Sequence, residues 1–283
     1  MKLYFKYTSL ALVIIVSVFI ALYVIYSPPS IPVMSDTDTA NTDALDTAPS
    51  TNATETEPPE TEPPIPKKRV ALTFDDGPAY DNDNFQRLTY KLVDKLSEYE
   101  GKATFFLVGN RINQTTGRAI AYAAERGNEI GIHAYTHDYD FSKCDYSIFT
   151  SELEKTKAKI ELYSGKDVTL FRPPYGSITK SRAADSGFAI ILWNVDSEDW
   201  VYKSRTDAAT AEKNIETIAQ NIISQVKDGD IILMHEIYQN SYEAACIVID
   251  TLSAEGYEFV TVTELIGADN LKIGESYYSA TTR

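Results

Sequence analysis

The chain has 283 residues, with 41 acidic side chains against 26 basic ones and a net charge of −15. That balance, with no basic stripe anywhere, argues against nucleic acid as a partner. Only two cysteines are present, Cys144 and Cys246. Cys246 sits in the apolar helical run AACIVI, where a buried free thiol is the simple reading.

From the N-terminus, residues 1–6 carry two lysines and residues 7–26, YTSLALVIIVSVFIALYVIY, carry no charge. Twenty residues of helix span roughly 30 Å, the thickness of a bilayer core. No small-x-small cleavage site follows, so residues 1–26 read as a transmembrane signal anchor rather than a cleaved peptide. The lysines place everything after it outside the cell membrane. Residues 27–66 hold eight acids, no bases and many Thr and Pro. Such a stretch cannot bury enough surface to offset ordering, and it reads as a disordered, extended linker. The remainder, 67–283, has 24 basic and 33 acidic residues, a net −9, and is long enough for one sizeable core.

Within that domain seven short apolar runs read as strands: 70–74, 103–108, 129–133, 168–172, 188–195, 230–234 and 257–262. Helical patterns lie between them, at 84–98, 115–126, 147–163, 179–186, 208–226 and 241–255, and TVTELIG begins a last one. In the first, Phe85, Leu88, Leu92, Val93 and Leu96 share one face. Regular alternation predicts an α/β fold with about seven parallel strands and helices packed outside, as an open doubly wound sheet or a barrel. No G-x-G-x-x-G follows the first strand, which weighs against a dinucleotide fold. The strands are nearly all apolar, as burial of both faces requires.

In such a barrel the chemistry gathers at the C-terminal ends of the strands. TFDDGP, with Asp75 and Asp76, follows the first strand; HAYTH, with His133 and His137, ends the third. RPPYG, with Arg172, follows the fourth; DSEDW, with Asp196, follows the fifth; His235 follows the sixth. Adjacent side chains on a straight strand point to opposite faces, but Gly77-Pro78 breaks the strand and lets the two aspartates converge. Histidines four apart on a helical turn face the same way, as in metal sites. Two imidazoles and one carboxylate leave positions open for water and substrate, and Zn²⁺ suits that set. If one aspartate binds the metal, the other is free to act as a base. Arg172 can hold a carboxylate by two parallel hydrogen bonds. His235 is then the group left to donate a proton, and Asp196 could orient it.

The ordered set TFDDGP, H-x-x-x-H, RPPYG, DxxDW and LxH, spread over residues 73–235, resembles the NodB-homology polysaccharide deacetylases of carbohydrate esterase family 4. The resemblance implies a deformed (β/α) barrel across 67–283 and metal-dependent removal of acetyl from N-acetylated sugars. It implies that Asp75 is the base, oriented by Arg172, and that Asp76, His133 and His137 are the metal ligands. It implies that Asp196 pairs with His235 as general acid, and that the Tyr175 backbone N–H joins in oxyanion stabilisation. It also implies that Trp200 and Leu233 wall a pocket for the acetyl methyl group. Where the family usually has Ser or Thr after the first histidine this chain has Ala134, so looser support of the metal loop is expected.

The partner expected from these readings is an extracellular polysaccharide, with peptidoglycan N-acetylglucosamine first and chitin-like polymers, poly-N-acetylglucosamine and acetylated xylan as alternatives. Tyr139, Tyr202 and Tyr238 flank the motifs and could stack on sugar rings. Two competing readings are a non-haem iron oxygenase, which shares the two-histidine-one-carboxylate set, and a wall carbohydrate-binding protein without catalysis.

Overall fold

The computed structural model describes residues 67–79 and 87–281. The expected membrane helix and acidic linker, and Phe85 of the first helical pattern, lie outside the described residues. Among the described residues no helix is long and apolar enough to cross a membrane.

Among the described residues nine strands alternate with helices in the order β1 (Lys68–Gly77), α1 (Leu88–Ser97), β2 (Thr104–Val108), α2 (Gln114–Glu125), β3 (Glu129–Ala134), α3 (Tyr146–Ser164), β4 (Leu170–Phe171) and α4 (Lys180–Asp185). There follow β5 (Ala189–Ile191), β6 (Val195–Asp196), α5 (Ala208–Ile223), β7 (Ile231–Met234), α6 (Gln239–Ala254), β8 (Tyr257–Phe259), α7 (Val262–Ile266) and β9 (Ser276–Tyr277). Local signals set several boundaries. Asn113 caps α2 in a reciprocal box with Thr116, and Thr261 caps α7 in one with Glu264. Gly165, in the left-handed region at φ 65°, ends α3.

All strand pairs are parallel, and the sheet order is β6-β7-β1-β2-β3-β4-β5-β9 with β8 also on β1. The expected seven strands thus become nine. The run 188–195 splits into β5 and β6, and a short β9 adds to the edge. The split closes the fold. β5 lies between β4 and β9, whereas β6, at the opposite end of the order, pairs with β7. Leu192, Trp193 and Asn194 alone separate Ile191 from Val195, and four Cα–Cα steps allow at most about 15 Å between them. A sheet whose ends are tethered this closely must curl into a barrel-like layer.

Alternation along the strands sorts the apolar residues into two sets. Leu72, Phe105, Phe171, Ile190 and Ile232 join the larger cluster, which also takes the helix stripes of α1, α2, α5 and α6. Ala71, Phe106, Leu170, Ile191 and Ile231 join the second, inside the curl. Each fully buried side chain of this size contributes about 1.5–3 kcal/mol. Gly131 is required on the inner face, because a Cβ there would lie 2.6 Å from the Phe106 ring. The same parity continues upward. Thr73 and Asp75 follow Ala71, His133 follows Gly131, Arg172 follows Leu170, and Leu233 and His235 follow Ile231. Their side chains therefore leave the inner face where the strands end.

Candidate active site

A cavity of 410 Å³ opens at this rim, and Asp75, Asp76, His133, His137 and His235 all line it. A larger depression, of 750 Å³ beside Lys67 and Tyr257, holds none of the histidines.

The two aspartates converge because β1 carries a bulge. Its register against β2 passes from Asp75 opposite Phe106 to Gly77 opposite Leu107, so Asp76 is the extra residue, at φ 70°. The turn that reorients the second carboxylate thus comes one residue before the expected Gly77-Pro78 break. The histidines do not share a helical turn either. His133 is the next-to-last residue of β3, and His137 lies in a bend at φ 67°, which brings the ring centroids to 5.0 Å.

Asp76 Oδ1 is buried without a hydrogen-bond partner, and it faces His133 Nε2 at 3.6 Å and His137 Nε2 at 3.5 Å. His133 Nδ1 sits 2.8 Å from the Arg172 carbonyl. As donor to that oxygen, Nδ1 carries the proton and leaves a lone pair on Nε2. Burial lowers the His133 pKa against the pull of Asp75 and Asp76. Burial also pushes Asp76 up, but the fields of His133, His137, His235 and Arg111 outweigh it and leave the carboxyl lowered. A carboxylate and two imidazoles, with one oxygen otherwise orphaned, fit a divalent cation.

Arg172 is fully buried between the rings of Phe106, at 4.3 Å, and Trp193, at 5.5 Å. It does not form the expected two-pronged pair with Asp75. Nη1 alone donates to Asp75 Oδ1, at 2.9 Å, and also to Thr73 Oγ1 at 2.7 Å. Nε and Nη2 donate to the carbonyls of Ile191 and Leu192, where β5 leaves its ladder. Asp75 Oδ2 is 3.8 Å from His133 Nδ1, beyond hydrogen-bond range.

His235 has a different partner from the one expected. Asp199, fully buried, receives His235 Nδ1 on Oδ1 and the His235 backbone N–H on Oδ2, both at 2.7 Å. Asp196 instead accepts from Trp193 Nε1 at 3.2 Å and from the Glu198 N–H at 2.8 Å. The choice is made by Glu198, whose φ of 55° reverses the chain and tucks Asp199 beneath the end of β7. Burial opposes charge on His235, but the hydrogen bond and charge of Asp199, with Asp75 and Asp76 behind, raise its pKa to about 9.

Tyr175 stands on the rim, 71% exposed, at φ 60°, its ring edge-on to His137 at 4.9 Å. In its turn the neighbouring N–H groups of Gly176 and Ser177 are spent on Pro173 and Pro174, while that of Tyr175 donates to no described acceptor. Trp200 and Leu233 line the cavity, as does Tyr238; Tyr139 and Tyr202 do not. Trp193, missed in the sequence, lines it too.

The loop that carries His133 and His137 is not loosely supported despite Ala134. Glu152 Oε2, from α3, accepts the N–H groups of Tyr135 and Thr136, each at 2.8 Å, and meets the Thr136 hydroxyl at 3.2 Å. The brace comes from a neighbouring helix instead of from the loop itself. Both cysteines are free and half-buried.

With this geometry in view, residues 62–189 match the family model for polysaccharide deacetylase. The chain is 33% identical over 214 residues to the peptidoglycan-N-acetylglucosamine deacetylase PgdA of Listeria monocytogenes, covering 76% of this chain and 42% of that protein. It thus spans about two-fifths of the length of the first curated relatives it matches. Peptidoglycan deacetylase PdaC from Bacillus subtilis superposes with a TM-score of 0.61 at 35% identity, over 70% of this chain and 90% of that one. A family 4 acetyl xylan esterase from Clostridium thermocellum, in complex with a cobalt ion, gives 0.64 at 32% identity, over 76% of this chain and all (100%) of the other. The motifs, the curled parallel sheet and these likenesses agree, and the chain belongs to the polysaccharide deacetylase family of carbohydrate esterase family 4.

Proposed function

We propose that this chain is a metal-dependent hydrolase that removes acetyl from N-acetylated sugars of an extracellular polysaccharide, peptidoglycan N-acetylglucosamine before others. The observation that carries the reading is the orphaned Asp76 Oδ1 facing two imidazole nitrogens, with Asp75 on one side and a raised-pKa His235 on the other. Asp76, His133 and His137 would hold the cation, and two nitrogens with one oxygen favour Zn²⁺. Such a cation supplies polarisation of the acetyl carbonyl and acidification of water.

The chain's own groups do the rest. Asp75 Oδ2 takes a proton from the attacking water while Arg172 holds Oδ1. The water oxygen adds to the acetyl carbon, and the unspent Tyr175 N–H donates to the carbonyl oxygen as it gains charge. The carbon–nitrogen bond then breaks, and the leaving nitrogen takes the proton held on His235, whose other nitrogen Asp199 fixes. The products are acetate and a free amine. Trp200 and Leu233 wall the space for the methyl group.

The Listeria and Bacillus relatives act, by name, on peptidoglycan, and this supports the choice of polymer. The acetyl xylan esterase likeness supports O-acetylated xylan as a second reading. The uncharged 7–26 run and the acidic 27–66 stretch support a single-pass anchor with the domain outside the cell membrane. The test is acetate release from a panel of N-acetylated and O-acetylated polymers, with and without a chelator. No acetate from any of them after Zn²⁺ is restored would end the proposal.

A further inference from the structure

One cation at the cavity makes no ion pair among the described residues. Lys203, in the loop between β6 and α5, is exposed and lines the cavity with Trp200, Tyr238 and His235. Its ammonium lies 5.5 Å from the centroid of the Tyr238 ring and makes no ion pair among the described residues. Arg205, two residues on, is spent: its guanidinium pairs with Glu243 at 3.3 Å and bonds Asn240.

The loop carrying Lys203 is fixed on both sides. Asn240, fully buried, donates Nδ2 to the Tyr202 carbonyl at 2.7 Å and to the Ser204 carbonyl at 3.1 Å. Asn214 adds a bond to Ser204 at 2.9 Å. The lysine stem therefore starts from a set place at the cavity wall. The carboxylates that line the same cavity are those of Asp75, Asp76 and Asp196. A domain of net −9 repels an anionic polymer at long range. Lys203 gives the mouth one ammonium that makes no ion pair among the described residues.

We infer that Lys203 is a specificity-determining residue that pairs with a carboxylate on the sugar next to the one being deacetylated. The inference rests on the deacetylase reading above and adds what the neighbouring sugar carries. That carboxylate has two sources on acetylated glycans, the lactyl ether of an N-acetylmuramic acid that carries no stem peptide and a uronate branch. Both present the same acceptor, and a mobile point charge suits an acceptor held on a flexible substituent better than a rigid fork would.

The test compares kcat/KM for acetate release, and affinity by calorimetry, on three oligosaccharides of equal length. One is a neutral N-acetylglucosamine tetramer. The second alternates N-acetylglucosamine with N-acetylmuramic acid bearing free lactyl groups. The third is an acetylated xylo-oligomer with a uronate branch. The anionic-to-neutral ratio should fall about two- to fivefold in Lys203→Met, the range for an exposed ion pair. It should fall further in Lys203→Glu and be kept in Lys203→Arg. Raising salt from about 30 mM to about 500 mM should close the gap between the ratio of the original chain and that of Lys203→Met. The better anionic substrate names the source. An unchanged ratio in Lys203→Met, or an equal loss in Lys203→Arg, overturns the inference. If all three oligosaccharides bind but release no acetate, the deacetylase reading fails, and the affinity ratio alone decides the role of Lys203.

Discussion

Asp199→Asn isolates what the carboxylate does for His235. Asn keeps the shape and one acceptor, but removes the charge and leaves one of the two 2.7 Å contacts without its acceptor. With Asp199 the His235 pKa stands at about 9. The proton-donating form is therefore populated below that value and lost as pH rises through it. In the limit that the variant returns to the ordinary value near 6.5, the imidazolium at pH 8 drops from about nine-tenths to about 3%. That is about a 30-fold loss of the form able to donate to a leaving amine. At pH 6 the same shift leaves about three-quarters of it. The assay is kcat/KM for acetate release from an N-acetylated oligosaccharide between pH 5.5 and 9.5. The variant should lose its alkaline activity first, with the basic limb displaced toward neutrality. A loss of the same factor at every pH would show that Asp199 only holds shape, and the assignment of His235 as a charged donor would fall with it.

Three further outcomes are expected. Asp75→Asn should keep its metal by elemental analysis while turnover falls by at least about 10²-fold, whereas His133→Ala should lose both. Glu152→Ala removes the acceptor for two loop N–H groups and should weaken metal affinity about 10- to 100-fold, read by competition with a chromophoric chelator. Gly77→Ala would place a Cβ 2.0 Å from Glu236 Oε1, inside a fully buried carboxyl. It should cost about 1–3 kcal/mol in denaturant unfolding, and a midpoint equal to that of the unaltered protein would refute the close approach.

Much of this was legible in the sequence for a physical reason. Parallel strands buried on both faces read as short apolar runs, and polar residues break those runs only at their ends, so Asp75, His133, Arg172 and His235 announced themselves together. The failures came where the backbone leaves regular geometry. Asp196 and Asp199 are equivalent by composition, and only the left-handed Glu198 between them decides which reaches His235. The run 188–195 looks like one strand because its apolar residues continue through the kink that divides it. Glu152 did leave a signal. It sits on α3 among Phe149, Leu153, Thr156 and Ile160, the buried stripe of that helix, and an acid on such a stripe asks for donors across the interface.

The kink that divides β5 from β6 leaves the carbonyls of Ile191 and Leu192 turned toward Arg172. The guanidinium that holds Asp75, the proposed base, is thus also the joint at which the chain crosses from one side of the sheet to the other. A neutral side chain at 172 would strand both oxygens in the protein interior and release the base in the same stroke. Inactivity and unfolding at that position cannot be dissected from one another by mutation. Chemistry and closure have been assigned to a single cation.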